Sequence, residues 1–494
     1  MRDQRSVVLV FPRNVTGWQA QPWCDLPLGL LTVATPLHQA GYRVRIIDQR
    51  VSPDWQALLE AELERSPLCV GLSSMTGPQL HHALEVSRLV KRRDRIPVVW
   101  GGVHPSLLPE QTLENEYVDY VVQGEGEEAF LELVQALEQG RPPVDVPGVW
   151  HKRNGAPAFG GPRPFVDLNA QPELAYDLVD VPKYTRTVFG VKRLSFASSR
   201  GCTYPCAFCY NTVFHQRRWR ALDAGIAVRQ IKNLVNRYSV RGLFLTDANF
   251  FLDLDRARTI LEDAQREIPG LVFSRLHIRF DSLVRLTDSD FALLERAGCK
   301  CLAVGIESGS ERIRNLLRKP IDEARLREVN RAMRRYAIVP LYFFMMGFPT
   351  ETVEELRQTC RLFTTLVQDN PRAAKSVNIY SPYPGTELME LARANGLEPP
   401  HSIKDWVSFS YRSLGSGGPW IPERNRRIIE MLDFCAFFVG ETSYRRPFKQ
   451  THPLVVLLAR LYAPVARKRV EAFYTGFPLE IRLARRLGLF AKQA

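Results

Sequence analysis

No run in the 494 residues approaches the roughly 18 consecutive apolar positions that a membrane-spanning helix needs. The opening M-R-D-Q-R-S leads straight into V-V-L-V-F, with neither a secretory apolar region nor a cleavage site, so a cytoplasmic location is expected. There is no low-complexity tract and no internal repeat, which excludes solenoids and fibrous classes. Nine cysteines without a secretion signal fit a reducing compartment rather than a disulfide framework. No G-x-G-x-x-G follows the first apolar strand, which argues against a dinucleotide. Acidic residues are outnumbered, 53 against 66 basic, for a net charge of +13. The excess is local: residues 421–494 hold 14 Lys and Arg against 6 Asp and Glu. No RNA-binding module accompanies those charges, so nucleic acid is not an expected partner. What remains is a globular composition, 45% apolar and 24% charged, long enough for two or three domains.

One stretch carries the chemistry. Residues 198–211 read S-S-R-G-C-T-Y-P-C-A-F-C-Y-N, placing Cys202, Cys206 and Cys209 at C-x3-C-x2-C spacing with Phe208 before the third. Gly201 and Pro205 make the run a loop able to wrap around a ligand. Thiolates are soft ligands, suited to zinc or to iron–sulfur clusters. Structural zinc asks for four ligands, commonly as two pairs, and no second C-x2-C pair exists here. Three thiolates would leave one iron of a four-iron cluster free to bind something else. The competing reading is three buried structural cysteines.

This run resembles the cluster loop of the radical S-adenosylmethionine enzymes. The resemblance implies a 4Fe–4S cluster on Cys202, Cys206 and Cys209, with its open iron chelating S-adenosylmethionine. It also implies an external one-electron reductant of flavodoxin or ferredoxin type.

Upstream, apolar strands at residues 7–11, 44–48, 69–73, 98–100 and 117–122 alternate with helical segments, which predicts a parallel, doubly wound (Rossmann-like) α/β domain over 1–140. Ligands of such sheets bind beyond the carboxyl ends of the strands. The loops to watch are 16–29, 49–54, 74–79, 101–105 and 124–126. The runs W-G-G-V-H-P-S-L-L-P-E and D-Y-V-V-Q-G-E-G-E are similar to the cobalamin-binding domain that precedes many radical S-adenosylmethionine cores. By that similarity Ser74, Gly101, Gly102, Gly124 and Glu125 are the candidate cobalamin contacts. The D-x-H-x-x-G run of histidine-ligated cobalamin proteins is replaced by Asp48-Gln49-Arg50-Val51-Ser52-Pro53, leaving no lower histidine ligand there. His104 is expected to be a loop residue bonded to backbone; His81 and His82 are expected to be capping or surface groups.

Residues 141–192 are proline-rich and are expected to form a connector with a hairpin at Asn154-Gly155. Residues 193–390 alternate strand and helix six times, the pattern of a partial (βα)6 barrel with its chemistry at the C-terminal strand ends. There Asp247 is the candidate for the ligand's ammonium, Arg275 and Arg279 for its carboxylate, and Glu307 for ribose hydroxyls. The Met346-Gly347-Phe348-Pro349 turn is the candidate for the adenine face. Each also admits a plain ion-pair or capping role. Residues 391–494 are expected to be mostly helical and to cover the substrate, with Trp406, Phe409, Tyr411 and Trp420 giving an aromatic character and residues 415–419 a flexible loop. A helix around 452–469 is read as packed on the barrel, the alternative being contact with a membrane surface.

The combined resemblance implies C-methylation of an unactivated carbon, through a 5′-deoxyadenosyl radical and methylcobalamin, on a small or lipid-like substrate. Oxidative cyclisation without methyl transfer is one alternative, and a non-catalytic cobalamin- or metal-binding regulator another.

Overall fold

The computed structural model describes residues 5–14, 24–93, 95–409, 418–436, 438, 453–474 and 476. Parts of the loops flagged above (16–23 and 415–417), and Tyr411, lie outside those residues. The first sheet is built from β1 (Ser6–Phe11), β2 (Arg43–Asp48), β3 (Val70–Ser73), β4 (Val98–Gly101), β5 (Tyr120–Val122), β6 (Val149–Arg153) and β7 (Ala156–Phe159). Val7, Val8, Leu9 and Val10 are all buried, as a strand covered on both faces requires. Strand order is β2-β1-β3-β4-β5-β6-β7, with the first five parallel. The order reverses between β1 and β3, which opens a crevice at the carboxyl ends. Helices Leu28–Gln39 and Glu127–Glu138 pack against one another.

The Asn154-Gly155 hairpin forms as expected, but it is not part of a free connector. Its strands β6 and β7 run antiparallel on the edge of the first sheet. The turn chemistry is local and readable; the pairing with β5 depends on residues far apart in sequence.

The second unit begins with β8 (Arg186–Val188) and β9 (Val191–Phe196), followed by a two-stranded ribbon of β10 (Ser199–Gly201) and β11 (Trp219–Ala221). Then come β12 (Gly242–Leu245), β13 (Val272–Arg279), β14 (Cys301–Glu307), β15 (Val339–Met346) and β16 (Ala374–Ile379). The order β16-β15-β14-β13-β12-β9-β8 contains six parallel strands, an open half-barrel, with β8 added antiparallel at the edge. Alternation along β15 shows the two faces. Tyr342 bonds Asn330 at 2.9 Å and Phe344 meets Phe363, both on the outer helices, while Phe343 stacks on His277 inside.

The chain beyond the barrel packs on both units. Trp406 donates to Gln111 Oε1 at 2.7 Å on the first unit, and Trp420 donates to the Gly347 carbonyl at 2.9 Å at the end of β15. Helix Pro453–Glu471 packs on helices Glu423–Ala436 and Val353–Asp369. Among the described residues no helix is long and apolar enough to cross a membrane.

Candidate functional site

The cysteine loop leaves the half-barrel after β9, and the β10–β11 ribbon pins it where Gly201 pairs with Trp219. Backbone bonds hold it further: Ala207 N–H donates to the Leu317 carbonyl at 3.1 Å, and Leu388 N–H to the Ala207 carbonyl at 2.9 Å. Cys202 and Cys209 are half-buried, Cys206 is buried, and all three are free thiols. Burial raises the Cys202 thiol above its usual range and pushes that of Cys209 up to about 11. Such thiols keep their protons until a metal displaces them. Donors already point at the sulfurs: Arg279 Nη1 lies 2.8 Å from Cys206 Sγ and Asn211 Nδ2 lies 3.5 Å from Cys209 Sγ. Among the described residues, one set of three His, Cys, Asp or Glu ligand atoms gathers within 4.8 Å, and it is His81, His82 and Glu85. At least one pair of the cysteine sulfurs is therefore farther apart than that. A single tetrahedral zinc would hold its sulfurs about 3.8 Å apart. The open spacing suits a multi-iron cluster better than a zinc ion.

The strand-end residues resolve differently from one another. Glu307 ends β14 with φ +68 and forms a buried ion pair with Lys319, Nζ to Oε1 2.6 Å. Lys319 had no pattern to announce it, and its charge also acts on Cys202. Asp247 does not present its carboxylate for an ammonium. Its oxygens accept the Ser198 N–H at 2.8 Å and the Ser198 and Ser199 hydroxyls at 2.6 Å each, tying down the start of the loop. Arg275 is half-buried with its guanidinium 4.3 Å from the Phe244 ring centroid inside the half-barrel. Arg279, at the end of β13, is engaged by the cysteine loop through Cys206. Phe208 is half-buried against the core. In the Gly347 turn, Phe348 packs 5.5 Å from the Tyr380 ring, and Ile421 closes on Gly347.

A cavity of about 430 Å³ lies at the carboxyl ends of the first sheet. Gly101, Gly102, Gly124 and Glu125 line it from the sheet side; Phe196, Ser199, Arg200 and Thr246 line it from the half-barrel side. Gly102 has φ +91, and a Cβ there would stand 2.8 Å from Ser73 Oγ and 2.9 Å from Ser74 N, so only glycine fits this turn. Ser74 is not part of the wall. Its amide bonds Gly101, its carbonyl receives His104 N–H, and its buried hydroxyl has no partner among the described residues, while neighbours Ser73 and Met75 face the cavity. The apolar, glycine-rich wall fits a large flat cofactor such as cobalamin. Glu125 has another engagement. It accepts Arg200 at 3.0 Å and Arg220 at 2.6 Å, both on the ribbon, so it joins the two units as well as lining the cavity.

His104 is fully buried and neutral, its pKa lowered by burial to about 3, with Nδ1 sharing a 3.1 Å hydrogen bond with Thr76. His82 is not a surface group. It is buried and meets Glu85 at 2.8 Å and Arg13 at 3.3 Å.

Comparison with known proteins agrees with this two-part layout. The B12 binding domain model matches residues 26–134 and the Radical SAM superfamily model residues 197–363. An uncharacterised methyltransferase of Pyrococcus horikoshii is 30% identical over 380 residues, 75% of this chain and 79% of the relative. A cytidylyl-2-hydroxyethylphosphonate methyltransferase of Streptomyces wedmorensis is 25% identical over 502 residues, 90% and 91% of the two chains. An anaerobic magnesium-protoporphyrin IX monomethyl ester cyclase of Synechocystis is 28% identical over 332 residues, 65% and 64%. In fold, the cobalamin-dependent S-adenosylmethionine radical enzyme OxsB superposes with a TM-score of 0.71 at 18% identity, covering 99% of this chain and 76% of that one. The radical S-adenosylmethionine methyltransferase TsrM from Kitasatospora setae gives 0.66 at 20%, covering 83% and 81%. With a first sheet that ends in a cofactor-sized cavity and a half-barrel that carries the cysteine loop beside it, the chain belongs to the radical S-adenosylmethionine enzymes with an N-terminal cobalamin-binding domain.

Proposed function

We propose that the protein is a C-methyltransferase acting on an unactivated carbon, with Cys202, Cys206 and Cys209 holding a 4Fe–4S cluster and the inter-unit cavity holding cobalamin. The observation that carries the reading is the shared wall: Ser199 and Arg200, three and two residues before Cys202, line the same cavity as Gly101 and Gly124. When bound, the cluster supplies one-electron cleavage of S-adenosylmethionine, and cobalamin supplies a transferable methyl group. The chain's own part is positional. Asp247 anchors the loop, Glu307 offers a carboxylate beside it for ribose hydroxyls, and the Gly347 turn offers an apolar surface for adenine. Glu125, Arg200 and Arg220 hold the cavity against the ribbon. An external one-electron reductant of flavodoxin or ferredoxin type and a small-molecule substrate complete the scheme.

The match over 90% of this chain to a methyltransferase speaks for methyl transfer; the cyclase relative keeps ring closure as the second reading. Quantifying S-adenosylhomocysteine and 5′-deoxyadenosine separates them. Methylation yields both, cyclisation only the second, and absence of both from reduced, reconstituted protein ends both readings. Iron analysis of the three Cys→Ala variants tests the ligands, since each variant should lose the cluster.

The exposed Leu457, Leu461 and Val465, one helical turn apart with Arg460, Arg467 and Lys468 nearby, support contact with an anionic membrane surface. Co-sedimentation with vesicles rich in phosphatidylserine tests this, and recovery of all protein in the supernatant would reject it.

A further inference from the structure

Arg279 ends β13 with its whole guanidinium engaged. Nη1 donates to Cys206 Sγ at 2.8 Å. Nε and Nη2 reach Asp281 Oδ2 at 3.0 and 2.9 Å. The guanidinium carbon lies 3.7 Å from the Tyr204 ring centroid, so the planar group lies against a ring of the cysteine loop itself. The residue is buried, with its head fixed from three sides. A rigid cation donating to a ligand sulfur is the arrangement that sets cluster potentials, because hydrogen bonds and net charge around the sulfurs favour the more negative, reduced form. Low dielectric around the buried group strengthens the effect.

We propose that Arg279 is a positioning residue that fixes the Cys206 sulfur and raises the potential at which the cluster accepts its electron, with Asp281 as the counter-charge that limits the rise. The inference rests on the reading that the three cysteines hold the cluster. The redox step is the one-electron reduction of the oxidised cluster by an external one-electron donor, with no bond made or broken in the protein.

The test is an EPR-monitored potentiometric titration of the anaerobically reconstituted full-length enzyme without S-adenosylmethionine. Arg279→Gln removes the cation and should lower the midpoint potential. Asp281→Asn removes the opposing charge, leaves the guanidinium in place, and should raise it. Opposite signs at wild-type iron content support the proposal. Wild-type potentials in both variants, or shifts in one direction, overturn it. If Arg279→Gln binds no iron, Asp281→Asn decides alone, because the Asp281 side chain is 37% exposed and tolerates the change. A variant that alters only S-adenosylmethionine affinity at unchanged potential would make Arg279 a carboxylate ligand instead and also overturn the proposal. Absence of a cluster from the wild-type protein would be a failure of the cysteine reading, recognisable by iron content before any titration.

Discussion

Glu125 Oε2 accepts a hydrogen bond from Arg220 Nη1 at 2.6 Å, across the boundary between the cobalamin-side sheet and the ribbon that feeds the cysteine loop. Arg200 bonds Glu125 Oε1 at 3.0 Å and Glu127 at 2.6 Å, so two buried carboxylates and two half-buried guanidiniums form one cluster. Its place beside the cavity means that whatever holds the two units in register also sets the spacing of their ligands.

Glu125→Gln should therefore destabilise the junction by about 3 kcal/mol, the cost of leaving buried charges without their partner. Burial alone would raise the Glu125 carboxyl, but Arg220 and Arg200 outweigh it and hold it below its ordinary value. A depressed folded value contributes stability above the unfolded carboxylate's titration near pH ~4.3, lost as pH falls through the folded value. Urea midpoints of wild type and variant should accordingly differ at pH 7 and converge in acid. A gap that does not narrow as pH falls below the unfolded carboxylate's ~4.3 would show that the carboxylate's charge is not the cause.

Gly102→Ala should cost the protein its cobalamin while leaving the cluster loop intact. The added Cβ would meet Ser73 Oγ and the Ser74 backbone at 2.8–2.9 Å in a left-handed conformation, and backbone strain alone is worth about 1–3 kcal/mol. Gly140→Ala is the control, since its φ is +66 with nothing within 4 Å. Absorbance of bound corrinoid after gel filtration should fall at least tenfold for the first and stay at the wild-type level for the second. Equal retention in both would remove the turn from the cobalamin site.

The cysteine loop was legible in the sequence because three thiols and an aromatic at fixed spacing declare their own chemistry. The strands were legible because parallel sheets bury continuous apolar runs such as Val7–Val10. What could not be read were partners contributed from a distance. Glu125 in Q-G-E-G-E has the look of a ligand contact, and nothing marks Arg200 or Arg220, 75 and 95 residues on, as its mates. Asp247 ends a strand where a ligand group is expected, yet the Ser198 and Ser199 hydroxyls donate to its Oδ2 and the Ser198 N–H to its Oδ1. Lys319 precedes a proline in an ordinary basic run and gains meaning only beside Glu307. His82 has the look of a capping or surface group, because helical position alone does not reveal that Arg13 and Glu85 close over it.

Glu351 is buried in the turn after β15, where Oε2 accepts the Gly347 and Phe348 N–H groups at 2.7 and 3.3 Å and Oε1 has no partner among the described residues. Burial raises its carboxyl to about 8 against the pull of those two N–H donors. A folded value above the unfolded one gives stability that is complete below pH ~4.3 and is lost as pH rises through the folded value. Glu351→Gln keeps the accepting oxygen and cannot ionise. Its stability should match wild type near pH ~4 and exceed it progressively as pH rises to 8, removing a slope of at most about 1.4 kcal/mol per pH unit. Urea midpoints across this range check it, and parallel profiles would mean that the carboxyl ionises freely in the fold.

Lys319 and Glu307 separate a structural role from a binding one. Both side chains are under 10% exposed, and Gly305 makes the room, since a Cβ there would stand 2.5 Å from each charged atom. Lys319→Met alone strands a buried carboxylate and should cost about 3–5 kcal/mol, whereas the double change Glu307→Gln with Lys319→Met should restore most of that loss. The double variant has no carboxylate for ribose. If Glu307 serves the ligand, isothermal titration will find S-adenosylmethionine affinity lowered at least tenfold in a protein of near wild-type stability and iron content. Unchanged affinity in that background would make the pair a structural tie at the end of β14, and would move recognition of the ribose to another strand end.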